Sequence, residues 1–345
     1  YRRSLRRGGL VATIDALVGS VAARVAGDPD PTTWVLGQGW SPDGLGRWPT
    51  ADDLEVVAPG RRVALWAHDH HSLLVSHRVL ADAGIDDSTP DPPGGVLVRD
   101  QAGRPAGVLQ GRAAGLAAPL VPPDDAASIA TAVRRYARDL LELGIVAVHD
   151  PGPLHAPAGL GAALEAYASL AATGALDLRL HACLRESQLD AAAASGLRSG
   201  EPLGPDPRDR LRLGWLKLFA DGSLGSRTAA LLDPLEPGVA PGGRGVWTTS
   251  PTALAALVRR AADQGLATMI HAIGGAGVRG ALTALGEGRG PGRLLPRIEH
   301  VQLLHPDDAP RFRALGVAAS VQPVHVRTDV DAPREAWGHH AGLRG

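Results

Sequence analysis

"LRLGWLKLFADGSLGSR", residues 211–227, is the stretch from which the rest of the chain can be read. An apolar run carries Lys217 between Leu216 and Leu218 and ends in Asp221-Gly222, a turn dipeptide. Lys217 is the only lysine among 345 residues, beside 34 arginines. A composition rich in Ala, Gly, Arg and Pro has let arginine take the place of lysine wherever a surface charge suffices. Arginine cannot lose its proton at any accessible pH, whereas a lysine in an apolar strand is pushed toward the neutral amine. Lys217 therefore reads as chemically required.

From Gly144 onward the same kind of run recurs at regular intervals. Apolar segments at 144–150, 176–184, 211–222, 266–274, 297–304 and 316–324 alternate with amphipathic segments at 158–173, 251–264, 276–287 and 306–315. In "SPTALAALVRRAADQG", Ser250 is placed to cap, Pro251 to open and Gly265 to end a helix. Strands alternating with helices predict a parallel α/β fold, buried on both faces of its sheet. Pattern alone allows a closed eight-stranded barrel or an open doubly wound sheet. Residues 1–120 read as a smaller inserted α/β region, with strands at 32–40 and 61–76 and the turn-rich "STPDPPGG" at 88–95. Residues 121–345 then form the main domain, entered through a long helix at 121–144.

Composition excludes several classes. A net charge of −1 without a basic block argues against nucleic acid. No run reaches the roughly 20 apolar residues of a membrane span. The single cysteine, Cys183, fits a reducing, cytoplasmic compartment without disulfides. The only methionine is Met269, so Tyr1 is not expected to be a translated start, and a signal peptide could have preceded it.

Lys217, His271 and His300 lie toward the C-terminal ends of three successive strands. In a parallel barrel those ends open on one face, where active sites form. A lone strand histidine is usually a packed core residue, and a lone strand lysine is usually half of an ion pair. Three metal-capable groups in successive strands favour a site, and with it the barrel.

"WLKLFADGSLGSRTAAL", "MIHAIG" and "RIEHVQLLHPDDAPRFRALGVAASVQPVH" resemble the metal-dependent amidohydrolase superfamily, most closely the branch that contains N-substituted formamide deformylases. "GWSPDGLGRWPTADDL" and "ALWAHDHHSLLVS" are similar to the inserted region of that branch. The resemblance implies a (β/α)8 TIM-like barrel with one or two divalent metals, zinc being the first expectation, and CO2 to carboxylate the lysine. By motif, Lys217 matches the metal-bridging carboxylated lysine, while His271 and His300 match the ligands of the fifth and sixth strands. These three are the expected catalytic and metal residues; His71, Arg227 and His325 are expected to contact substrate.

The family pattern also has a His-x-His on its first strand and an Asp on its eighth. Residues 1–345 are expected to hold strands two to seven, and alone to bind metal weakly and be inactive. Gly275 stands where the branch has Asp. "HDH" at His68–His70 is formally a His-x-His, but its context fits the insertion better. "GAGVRG" (275–280) has the outline of a dinucleotide loop, a pattern that arises cheaply among 44 glycines.

The function expected is metal-dependent hydrolysis of a non-peptide, amide-like C–N bond in a small molecule. No nucleic-acid or membrane partner is expected, and a homodimer is left open. A Schiff-base lyase using Lys217 is the rival enzyme, and a barrel that has lost its metals is the non-catalytic alternative.

Overall fold

The computed structural model describes residues 13–41, 45–68, 70–152, 159–224, 226–234, 243–288 and 293–324. Helix α1 (Ile14–Ala26) leads into a five-stranded mixed sheet. Its strands are β1 (Val35–Trp40), β2 (Val63–Ala67), β3 (Ser72–Val75), β4 (Gly95–Arg99) and β5 (Pro105–Gly111), in the order β1-β2-β3-β5-β4. Helices α2 (Ala51–Glu55) and α3 (His77–Asp82) lie between these strands. The apolar run at 61–76 becomes two antiparallel strands, Ala64 facing Val75, with His68, His70 and His71 between them. Both faces of this sheet are covered: Leu65, Leu74 and Val108 pack with α1 and α2, while Trp66, Leu73 and Leu109 pack on the opposite side.

The second sheet is wholly parallel. It contains β6 (Ala147–Asp150), β7 (Arg179–Arg185), β8 (Leu211–Phe219), β9 (Thr268–Ala272), β10 (Arg297–His300) and β11 (Ala318–Ser320), each hydrogen-bonded to its neighbour in chain order. Helices α4 (Ala126–Glu142), α5 (Gly161–Ala172), α6 (Leu189–Ala194), α7 (Pro251–Asp263), α8 (Gly275–Glu287) and α9 (Ala309–Leu315) precede or connect the strands. Ser250 caps α7 as its sequence predicts, accepting from the Ala253 N–H, and Gly265 follows with φ +73°. The helix expected from residue 121 starts at Ala126, after two prolines, with Asp125 as its cap. Among the described residues no helix is long and apolar enough to cross a membrane.

The sheet is curled. Arg297 on β10 donates to His149 Nδ1 on β6 at 2.8 Å, although three strands separate β10 from β6. In a flat sheet those strands would lie about 19 Å apart, beyond the reach of the two side chains. One face of the sheet is therefore concave, and the other packs against the helices in the main core, which includes Leu164, Leu216, Leu254, Ile270, Leu282 and Ile298.

A bulge decides which side chains of β8 enter the concave face. Ala182 pairs with Leu213 but Leu184 pairs with Leu216, so β8 carries one extra residue. Leu211 and Leu213 before the bulge, and Leu216 and Leu218 after it, all pack in the helix-side core. Unbroken alternation would place Lys217 with Leu211 and Leu213; the inserted residue turns it inward instead. Gly214 sits at this point, where a Cβ would lie 2.9 Å from Cys183 Sγ.

Leu216 is fully buried on the helix side. Leu216→Ala should cost about 2–5 kcal/mol of stability through the lost burial and residual cavity. Urea denaturation of the two proteins measures this, and a loss well under 1 kcal/mol would contradict the two-layer arrangement.

Candidate functional site

The concave face has two levels. In the lower one, His149 and His181 stack at 5.2 Å with ring planes 7° apart, and both rings pack against Trp215. The Arg297 guanidinium lies 4.2 Å over the Trp215 ring and pairs with Glu299 at 2.6 Å. Burial, then the Arg297 charge, pulls His149 down to about 4.

The upper level lies toward the C-terminal ends of the strands. Lys217 is 6% exposed, and its Nζ has no hydrogen-bond partner among the described residues. It rests 4.5 Å over the Phe219 ring. Burial pulls the Lys217 ammonium down to about 7; Glu299 opposes that shift and Arg185 adds to it. Phe219 also packs against the His271 ring at 5.2 Å.

His271 is 2% exposed, and its Nε2 donates to the Gly222 carbonyl at 2.9 Å. A carbonyl only accepts, so a neutral His271 keeps its lone pair on Nδ1. Burial, followed by the neighbouring His71, His300 and Lys217, lowers its pKa well below the ordinary value. The backbone around His271 is tied down by Asp221. Its carboxylate, fully buried, accepts from the N–H groups of Ile273 at 3.0 Å, Gly274 at 2.8 Å and Ala230 at 2.9 Å. Burial pushes Asp221 up to about 7 against the pull of those donors. Read in sequence as turn chemistry, Asp221 is also the clamp between β9 and the loop after β8.

His300 reaches the site by a different route. Alternation along β10 places Arg297 and Glu299 on the concave face and Ile298 on the helix side, which would send His300 outward. Left-handed backbone at His300 (φ 74°) and Val301 (φ 48°) breaks that alternation. The His300 ring ends edge-on to His271, 4.7 Å between centroids. Its Nδ1 bonds Gln322 Oε1 at 2.8 Å, an acceptor, so Nε2 keeps the lone pair. Such backbone in non-glycine residues costs on the order of 1–3 kcal/mol each and concentrates at functional sites.

The other candidates divide. His71, from the first sheet, lies 4.6 Å from the His271 ring and 5.9 Å from Phe219. The two sheets are joined beside it by Ser72 Oγ to Ser226 Oγ at 2.9 Å and by Gln110 Nε2 donating to the Ser226 carbonyl at 3.1 Å. Arg227 is exposed, with φ 56°, in the loop after β8. His325 lies outside the described residues. Arg185, which sequence reading passed over, ends β7 in register with Lys217 and places its guanidinium 4.6 Å over Phe219. Among the described residues no group of three or more His, Cys, Asp or Glu side chains is placed to hold a metal, so a metal reading depends on the lysine.

The glycine-rich start of α8 is filled by protein. The Ala276 and Gly277 N–H groups both donate to the Ala230 carbonyl, and a Cβ at Gly277 would lie 2.5 Å from Asp221 Oδ2. A pyrophosphate would meet occupied donors and a buried carboxyl group there.

A model of the amidohydrolase family matches residues 2–340. YtcJ of Bacillus subtilis (strain 168) is 30% identical over 302 residues, covering 86% of this chain and 54% of YtcJ. The crystal structure of an uncharacterized metal-dependent hydrolase from Pyrococcus horikoshii OT3 is similar at TM-score 0.64 and 25% identity, covering 93% of this chain and 59% of that one. A second uncharacterized metal-dependent hydrolase, from Pyrococcus furiosus, gives TM-score 0.59 and 28% identity over 92% of this chain and 61% of that one. The chain spans about half the length of the curated relatives it matches.

His271, His149 and His181 all have lowered pKa values in the folded protein. The unfolded chain binds protons at these positions near pH 6.5, so their contribution to stability is present above that pH and lost as the pH falls below it. The urea midpoint should drop between about pH 7 and pH 5, and His271→Gln should reduce the drop. Asp221, protonated over the same window, acts in the opposite sense in both proteins, so an equal change of midpoint in the wild type and in His271→Gln is the result that would contradict the buried, neutral state of His271.

Proposed function

The chain belongs to the amidohydrolase family, and on that premise we propose that it carries the lysine and histidine ligands of a metal-dependent hydrolase. The bond cleaved is an amide-like, non-peptide C–N bond in a small molecule. The observation that carries this reading is the orphaned Lys217 Nζ, buried in the concave face whose upper end also holds two histidine rings turned toward each other. An amine without a hydrogen bond in a buried place is a costly arrangement for structure alone.

The fold is read in the same way as part of a (β/α)8 barrel. Six strands lie in chain order and curl, and among the described residues no strand pairs with the outer edge of β6 or β11: Val146 beside β6 is 50% exposed and Val321 after β11 is 60% exposed. Two further strands would cover both edges and complete the barrel.

The donor set suits a borderline divalent ion, zinc first. His271 Nδ1, His300 Nε2 and a CO2-derived carbamate on Lys217 would hold it. A bound metal would supply Lewis acidity, polarising the amide carbonyl and lowering the pKa of a water molecule toward neutrality. The protein's own residues do the rest. The Gly222 carbonyl and Gln322 fix the tautomers of His271 and His300, and Phe219 walls the site beside Lys217. His71, Arg227 and His325 are the groups proposed to touch substrate.

Lys217→Arg keeps a positive charge but cannot form a carbamate. In a protein that carries all eight strands of the barrel it should lower bound zinc, measured by elemental analysis, and cut amide hydrolysis at least about 100-fold. Lys217→Ala should recover part of both when a short carboxylic acid is added. Normal metal content and turnover in Lys217→Ala would end the metal-ligand reading. Covalent trapping of Lys217 by substrate and borohydride would favour the lyase.

A further inference from the structure

Arg185 is a buried charge for which amide hydrolysis has not yet supplied a role. It ends β7, is 6% exposed, and pairs in strand register with Lys217. Its guanidinium and the Lys217 Nζ pack on one aromatic ring, at 4.6 and 4.5 Å from the Phe219 centroid. The guanidinium donates to the Pro151 carbonyl at 3.4 Å and has the Asp150 carboxylate as a nearby counter-charge, and the Arg185 backbone is fixed from behind. The Arg185 N–H donates to Gln188 Oε1 at 2.9 Å, while Gln188 Nε2 donates to the carbonyls of Gly159 and Leu160.

A protonated Lys217 is repelled by the Arg185 charge, and arginine cannot relieve this by losing its proton. Glu299, a carboxylate that acts on Lys217 from β10, is already paired with Arg297. An anion on Nζ would turn the repulsion from Arg185 into attraction, and its repulsion from Glu299 would be offset by the Arg297 partner of that carboxylate. A planar carboxylate is also the group that a guanidinium fork holds best, through two parallel N–H···O bonds.

We propose that Arg185 is the positioning residue that favours and orients the Lys217 carbamate. The inference rests on the hydrolase reading above and adds to it a cation belonging to the protein that supports the carbamate before any metal does. In the step itself, the neutral Nζ lone pair attacks the carbon of CO2. A N–C bond forms, one C–O π pair moves onto oxygen, and an amine proton passes to solvent. The product bears one negative charge opposite the guanidinium.

Carbon-13 NMR of the chain equilibrated with labelled bicarbonate tests this, first with divalent metal chelated and then with zinc added. The wild type should give a carbamate signal that Lys217→Arg removes. Arg185→Met should raise the bicarbonate concentration for half-carboxylation about tenfold or more, and Arg185→Lys by less, since an ammonium keeps the charge and loses the fork. Arg185→Lys also keeps the test decisive if the methionine variant does not fold. A signal lost in Lys217→Arg but unchanged in the foldable Arg185 variants would overturn the role of Arg185 and leave the hydrolase reading standing. No carbamate in the wild type, even with zinc, would overturn both.

Discussion

A lysine side chain inside a curled sheet has to be accommodated, because neither its charge nor its N–H groups can go unsatisfied at low cost. Lys217 meets this constraint through its surroundings. The β8 bulge brings it to the concave face, and the aromatic ring of Phe219 offers a π face to its Nζ. Burial moves it toward the neutral amine. The neighbouring residues are arranged around the same problem. Arg185 is in register on one side, and the Arg297–Glu299 pair lies in the same concave face. Taken singly, each of these side chains is an expensive burial, yet together they make a polar lining on the concave face.

The loop after β8 makes this lining definite. Asp221 is fully buried and holds three backbone N–H groups from two separate segments, so the turn after β9 and the loop after β8 move as one body. The next carbonyl, that of Gly222, sets the His271 tautomer. The same loop receives the first sheet through Ser226, and so brings His71 against His271. The first sheet therefore contributes to the surroundings of His271. Shape also rules out one ligand: close contact between Asp221 and Gly277 closes the space that a phosphate would need at the start of α8.

Much of the architecture was readable in advance. Apolar runs located all six parallel strands, and cap residues such as Ser250 and Gly265 located helix ends, because both signals depend on local periodicity and backbone preference. The resemblance in "WLKLFADGSLGSR", "MIHAIG" and "RIEHVQLL" pointed to the amidohydrolase family, and the family model bears it out. The metal and the substrate class belong to the proposal.

Other features depended on contacts between distant residues. Alternation alone puts Lys217 with Leu213 and sends His300 outward; one extra residue in β8 and two left-handed residues after Glu299 reverse both assignments. Nothing in "CLRESQ" marks Arg185 as a neighbour of Lys217, because that pairing is set by strand register across a gap of more than 30 residues. The sequence by itself determined that a lone amine and two imidazoles would be carried on successive parallel strands, since composition and periodicity are properties of the chain. Only the tertiary structure decided which way those groups face, which tautomers they keep and which cation stands beside the amine. Bulges, register and backbone strain are settled when the sheet closes on its own side chains, and local sequence does not encode them.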